Sequence, residues 1–164
     1  MKVKLILPSL TEARSAFWRP IKYSLFPPLG LATLAAYLDD TDDVEIQDQH
    51  VETLTLNDTP DLVLIQVYIT NAKRAYAIAQ HYRDKGVYVA LGGLHVTSLP
   101  DEAAQYADTI FLGPAEQTFP EFLKDFRAKS PKKRYVSTNG RTIQNQPQIR
   151  RDLIKQIGRA SCRE

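Results

Sequence analysis

Two glycine-bearing turns are where this chain could hold a ligand against its own backbone. Gly92-Gly93-Leu94-His95 follows one apolar run, and Gly113-Pro114-Ala115-Glu116 follows another. Adjacent glycines remove two side chains and permit positive φ, so a bulky group can lie flat on the main chain. An ordinary strand-to-helix turn would use the same residues. Glu116 stands just before a helical pattern, where the helix dipole favours a carboxylate in any case. Gln66, Tyr68 and Thr70 end a third apolar run. An amide, an aromatic ring and a hydroxyl there could line a pocket, although Thr70 also suits a helix N-cap. Pro8 and Ser9 end the first run. Asp48-Gln49-His50 puts a carboxylate two residues before an imidazole, which could be a metal ligand with its orienting partner, although a surface-loop histidine is the favoured reading. His81 falls in a polar stretch of a helix and reads as surface.

Several familiar sites are missing. No Gly-x-Gly-x-x-Gly follows the first strand, and there is no phosphate-binding Gly-x-x-x-x-Gly-Lys-Ser/Thr. A Gly-x-Ser-x-Gly nucleophile elbow is also lacking. No nucleophile–base pair stands out. The expectation is therefore a binding domain, with no catalytic residue and no protein ligand to a metal.

The elements that must position these turns alternate along the chain. Val3–Leu7, Val44–Gln47, Leu62–Val67, Val87–Leu91 and Thr109–Leu112 read as strands. Helices are expected over Leu29–Leu38, Asn71–Lys85, Pro100–Gln105 and Thr118–Arg127, with Pro28 opening the first and Gly86 closing the second. The strands are continuously apolar, as strands covered on both faces must be. Alternation of this kind predicts an α/β, doubly wound, five-stranded parallel sheet, flavodoxin-like or Rossmann-like. Ligands of such sheets bind beyond the strands' carboxyl ends, which is where all the turns above lie. Val136–Gln144 reads as a C-terminal β-hairpin extension around Asn139-Gly140.

Composition agrees with one folded domain. Hydrophobic residues make up 43% and charged residues 24% of 164, which excludes a disordered chain. No apolar run is long enough to span a bilayer. A single cysteine, Cys162, excludes a disulfide framework and suits a cytoplasmic setting. Residues 1–128 carry 11 Lys and Arg against 17 Asp and Glu, whereas residues 129–164 carry 10 against 2. An acidic body repels phosphates, so no nucleic-acid partner is expected.

Together these pieces resemble the cobalamin-binding domain at the front of B12-dependent radical S-adenosylmethionine (SAM) enzymes. The resemblance rests on the first strand ending in Pro8, on Pro27-Pro28-Leu29-Gly30-Leu31, and on Pro60-Asp61 before the third strand. It rests further on Gly92-Gly93-Leu94-His95-Val96-Thr97 followed by Pro100-Asp101-Glu102, and on Gly113-Pro114-Ala115-Glu116-Gln117-Thr118. It covers about residues 1–157. Pro114 and Ala115 stand where the family usually has Glu and Gly, and Gln66 where it often has Ser.

The resemblance implies a corrinoid held at the sheet's carboxyl edge, with its nucleotide arm passing the glycine pair. It implies contacts from Pro8, Ser9, Gln66, Tyr68, Thr70, Gly92, Gly93, Leu94, His95, Gly113, Pro114 and Glu116. The cobalt-ligating histidine of related mutases lies after the first strand, and residues 9–27 contain none. No histidine on cobalt is therefore expected. In the family a radical SAM barrel follows, with a [4Fe-4S] cluster on three spaced cysteines that this chain lacks. The implied organisation is a cobalamin-binding domain over 1–128, a hairpin and linker over 129–156, and a tail over 157–164 that resembles translated sequencing-adaptor read-through. The competing reading is a flavodoxin-like module that binds FMN, another small ligand or a protein, without corrinoid. A bulky side chain at Gly93 is expected to exclude the ligand and leave the fold intact.

Overall fold

The computed structural model describes residues 1–10, 27–138 and 146–155. Most of the loop over 10–27, the turn at Asn139-Gly140 and the tail with Cys162 lie outside these residues.

The strands are β1 (Lys2–Leu7), β2 (Asp43–Asp48), β3 (Leu62–Gln66), β4 (Tyr88–Gly92), β5 (Thr109–Leu112) and β6 (Arg134–Val136). They form one parallel sheet in the order β2-β1-β3-β4-β5-β6. The helices are α1 (Leu29–Ala35), α2 (Ala72–Asp84), α3 (Leu94–Ser98), α4 (Pro100–Ala103) and α5 (Phe119–Arg127). Side chains alternate across each strand, so one face receives α2 and the other receives α1 and α5. Val63, Ile65, Val89 and Leu91 pack with Ala75, Ile78, Ala79 and Tyr82 of α2 on the first face. Leu62, Leu64, Ala90 and Phe111 pack with Leu31, Ala35, Phe119 and Phe122 on the second. This is the doubly wound α/β arrangement expected from the strand pattern.

The sheet has six strands rather than five. β6 lies parallel to β5, with Phe111 beside Tyr135. Its pattern escaped notice because only Tyr135 turns inward, 2% exposed, while Arg134 and Val136 face out. Val136 therefore belongs to a parallel strand, and the turn and second arm of the expected hairpin lie outside the described residues.

Helix ends differ for local reasons. α1 stops at Ala35 because the amides of Ala36, Tyr37 and Leu38 bond three residues back, tightening the last turn. Thr70 does not cap α2. It sits in the 3-10 turn Ile69–Asn71, and Asn71 takes the cap position. The fully buried Asn71 accepts the Tyr68 amide through Oδ1 at 2.8 Å. Its Nδ2 donates to the Pro8 carbonyl at 3.0 Å, so it pins the end of β1 to the end of β3.

Candidate ligand-binding site

The chain reverses its direction of winding between β1 and β3, where β2 is added on one side and β4 to β6 on the other. At such a point the flanking loops splay and leave a crevice at the strands' carboxyl ends. A cavity of about 370 Å³ occupies that place. Its floor is Leu64 of β3, Ala90 of β4 and Phe111 of β5. Gly30, Leu31 and Leu34 of α1 form one wall, and the Gly92-Gly93-Leu94 turn with Thr97 forms the opposite one. Gly113, Pro114, Ala115 and Glu116 close the end beyond β5.

Eight of the twelve residues singled out in the sequence line this slot: Gln66, Tyr68, Gly92, Gly93, Leu94, Gly113, Pro114 and Glu116. Four do not. Pro8 is buried against Asn71, and the Ser9 amide donates to Gln49 Oε1 at 3.2 Å. Thr70 is exposed on its turn. His95 is 8% exposed and turns toward α2 and α4, with Nε2 3.2 Å from Glu102 Oε1 and its ring 6.0 Å from that of Tyr76. The bond to His95 holds the Glu102 carboxyl below its usual value. His95 thus ties α3 to α4 behind the wall instead of facing the slot.

Reading the sequence missed Leu64, Ala90 and Phe111, although a signal for them existed. Each lies two residues before a strand-end residue already singled out (Gln66, Gly92 or Gly113) and so shares its face. Thr97 was missed as well. Its Oγ1 donates to the Gly93 carbonyl at 3.2 Å and accepts the Gly113 amide at 3.0 Å. One hydroxyl therefore links the two glycine turns across the mouth.

The two adjacent glycines differ in what they do. A Cβ on Gly92 would meet only Phe111 carbons, at 3.6 and 3.9 Å. Gly93 has φ +121°, and a Cβ there would stand 2.5 Å from the Val67 carbonyl oxygen. Glycine at 93 is thus required by the backbone of β3's continuation. This corrects the expectation that a side chain at Gly93 would spare the fold.

Gln66 stands at the mouth. Its Nε2 donates to Tyr68 Oη at 2.7 Å and lies 3.6 Å from where a Gly30 Cβ would be. Beyond this pair is a second cavity of about 370 Å³ over the ends of β1 and β2, sharing Gly30, Gln66 and Tyr68 with the first. His50 lies on its wall, with Nδ1 2.8 Å from Asp48 Oδ1. Among the described residues no group of three or more metal-ligating side chains comes together, and no helix is long and apolar enough to cross a membrane.

An apolar slot with a few polar groups at its mouth suits an organic ligand inserted arm-first. Comparison with known proteins agrees. Residues 23–123 match the family described as B12 binding domain. The chain is 34% identical over 110 residues, 66% of its length, to bacteriochlorophyllide d C-8(2)-methyltransferase of Chlorobaculum tepidum. It is 34% identical over 136 residues, 75% of its length, to an uncharacterized methyltransferase of Pyrococcus horikoshii. It is 30% identical over 114 residues, 68% of its length, to bacteriochlorophyllide d C-12(1)-methyltransferase of Chlorobaculum tepidum. The chain spans 24%, 29% and 25% of those proteins, respectively. Among solved structures, the N-terminal domain of a hypothetical protein of Thermotoga maritima aligns over 76% of this chain and 100% of its own, at 16% identity and a TM-score of 0.44.

Proposed function

This chain belongs to the B12-binding domain family, and from that premise we propose that it is the corrinoid-holding part of a longer radical SAM methyltransferase. The observation that carries the reading is the slot itself. Its floor is apolar, and Ala90 and Gly92 keep it open between Leu64 and Phe111. A 370 Å³ slot admits a slender aromatic arm rather than a whole macrocycle. The second cavity adjoins it through Gly30, Gln66 and Tyr68, so a ligand with its arm in the slot would carry its broad head outside, over this edge of the sheet.

The chain's own residues bind and orient. Leu31, Leu34 and Phe111 exclude water from the arm, and Gly92 lets it pass close to the main chain. Tyr68, held by Gln66, and Glu116 supply polar contacts at the rim. When bound, the corrinoid supplies methyl-transfer chemistry. The methyltransferase assignment draws on the matched relatives. The [4Fe-4S] cluster and SAM would belong to a barrel following this domain, as the resemblance of the glycine turns to radical SAM enzymes implies. The acceptor substrate would be chosen there.

The test is direct. Purified protein is mixed with hydroxocobalamin or with FMN, desalted, and read by absorbance. Retained corrinoid and absent flavin are expected. Retained flavin without corrinoid would establish the flavodoxin-like alternative instead.

A further inference from the structure

We propose that the floor of the slot selects among corrinoids by the base that ends the nucleotide arm, accepting an apolar aromatic ring and rejecting a purine, an inference that rests on the corrinoid reading above. Side chains two apart on a strand share a face, so β4 offers the slot only Ala90 and Gly92. Leu64 lies beside Ala90 in the register, and Phe111 Cδ2 is 3.9 Å from where a Gly92 Cβ would be. The result is a trough one strand wide, which runs from Gly92 at the rim down to Ala90. Phe111 gives its side an aromatic edge, which suits a flat ring.

The polar groups are in the wrong place to read a purine. Gln66, Tyr68, Thr97 and Glu116 are the polar side chains of the lining, and all stand at strand ends or in the turns beyond. Leu64, Ala90 and Phe111 are buried carbon. The main-chain groups under them are paired in the sheet ladder. Thr109, beside Ala90 in the register, spends its hydroxyl on the Lys132 carbonyl at 2.7 Å and on Tyr88 Oη at 2.6 Å. A base seated on this floor therefore meets carbon alone. Dimethylbenzimidazole and cresol present carbon edges there. Adenine would bury an exocyclic amine and ring nitrogens without partners. Discrimination by a carbon-lined pocket against added polar groups is about 10- to 100-fold.

The experiment measures Kd by equilibrium dialysis of the full chain against four probes that share one corrin ring: cobalamin, cresolyl cobamide, adeninyl cobamide and cobinamide, which has no base. Cresolyl cobamide should bind at least as tightly as cobalamin, and adeninyl cobamide and cobinamide about 10- to 100-fold more weakly. Seating the base in the slot takes it off cobalt. Adenine leaves cobalt more readily than dimethylbenzimidazole does, so that step favours the purine and cannot produce the expected order. Ala90→Ser puts a hydroxyl on the floor and should narrow the gap between adeninyl cobamide and cobalamin. Adeninyl cobamide held as tightly as cobalamin would mean that the floor does not read the base. Cobinamide held as tightly would mean that no base enters the slot. Weak cresolyl cobamide would mean that a base nitrogen is read instead of carbon, and an unchanged gap in Ala90→Ser would mean that the base stops short of the floor. Each of these results overturns the selection and leaves corrinoid binding standing, and the parent's four values decide even where the variant is unstable. Failure to bind any of the four probes overturns both.

Discussion

Replacing Gly93 by alanine tests whether the glycine pair serves the fold or the ligand. The new Cβ would stand 2.5 Å from the Val67 carbonyl oxygen and 3.0 Å from its amide nitrogen. Neither atom can swing away. The Val67 amide donates to the Gly92 carbonyl at 2.7 Å, and the Val67 carbonyl accepts the His95 amide at 3.3 Å. Something in the main chain must therefore shift. A non-glycine residue at positive φ costs about 1–2 kcal/mol. Overpacking adds about 1–3 kcal/mol. The reduced freedom of the unfolded chain returns about 0.4–1 kcal/mol. The net is a loss of about 2–4 kcal/mol, or about 5–15 °C in Tm for a chain of this size. Gly92→Ala is the control. Its Cβ makes ordinary contacts with Phe111, so Tm should stay within about 2 °C of the parent. Because Gly92 lines the slot, the same change should lower corrinoid retention. Thermal unfolding followed by circular dichroism, with desalting and absorbance, reads both. A Gly93→Ala protein that melts with the parent would show that the close approach to Val67 is absent.

Two further outcomes follow from the geometry. Thr97→Val removes the hydroxyl that links the two glycine turns. It should cost about 1 kcal/mol in denaturant unfolding and weaken corrinoid retention, and retention equal to the parent's would mean the mouth is held by other contacts. Lys4, 1% exposed, lies 2.5 Å from Asp58 and donates to the Thr55 carbonyl and to Tyr82 Oη. Burial pushes the Asp58 carboxyl up, but the bonds from Lys4 and Tyr82 outweigh it and hold it below its ordinary value. That contribution to stability is complete above the unfolded carboxylate pKa of about 3.9 and fades as pH falls through the lower folded value. Lys4→Met should cost about 3 kcal/mol at neutral pH by leaving the part-buried Asp58 without its cation. In that variant the Tyr82 hydroxyl still opposes the effect of burial on Asp58, but without Lys4 its carboxyl is lowered less, so the stability gap to the parent should narrow on acidification. A gap that widens as pH drops toward 4 would refute this account.

The fold was legible because its signals are periodic and local. Five apolar runs, each ended by Gly, Pro or a polar residue, mark five parallel strands within a residue or two. The sixth strand was hidden because it presents a single inward side chain, Tyr135. The short helix α3 was hidden too. Leu94-His95-Val96-Thr97-Ser98 is rich in β-branched and hydroxyl residues, and the turn at Gly93 rather than propensity starts it. Thr70 misled because a hydroxyl before a helix is a common cap, whereas Asn71 takes the cap position and its buried side-chain amide makes two bonds, from the Tyr68 amide and to the Pro8 carbonyl.

The site was legible at its rim and not in its depth, and the difference is physical. Glycines and polar side chains at strand ends announce themselves, because an apolar strand has no other reason to stop on them. The floor is made of residues that also serve as ordinary core. Leu64, Ala90 and Phe111 belong to the packed face under α1 and α5, and only the small size of Ala90 between its two large neighbours makes a slot. No residue type encodes a missing volume. Period-2 counting back from Gln66, Gly92 and Gly113 recovers all three floor residues, because side chains two apart on a strand share a face. The same counting separates His95, whose helix turns it to the opposite side of the sheet, from the slot that its neighbour Leu94 lines. Proximity in the chain to a glycine turn is therefore a weaker guide to a binding residue than parity along the strand that leads into it.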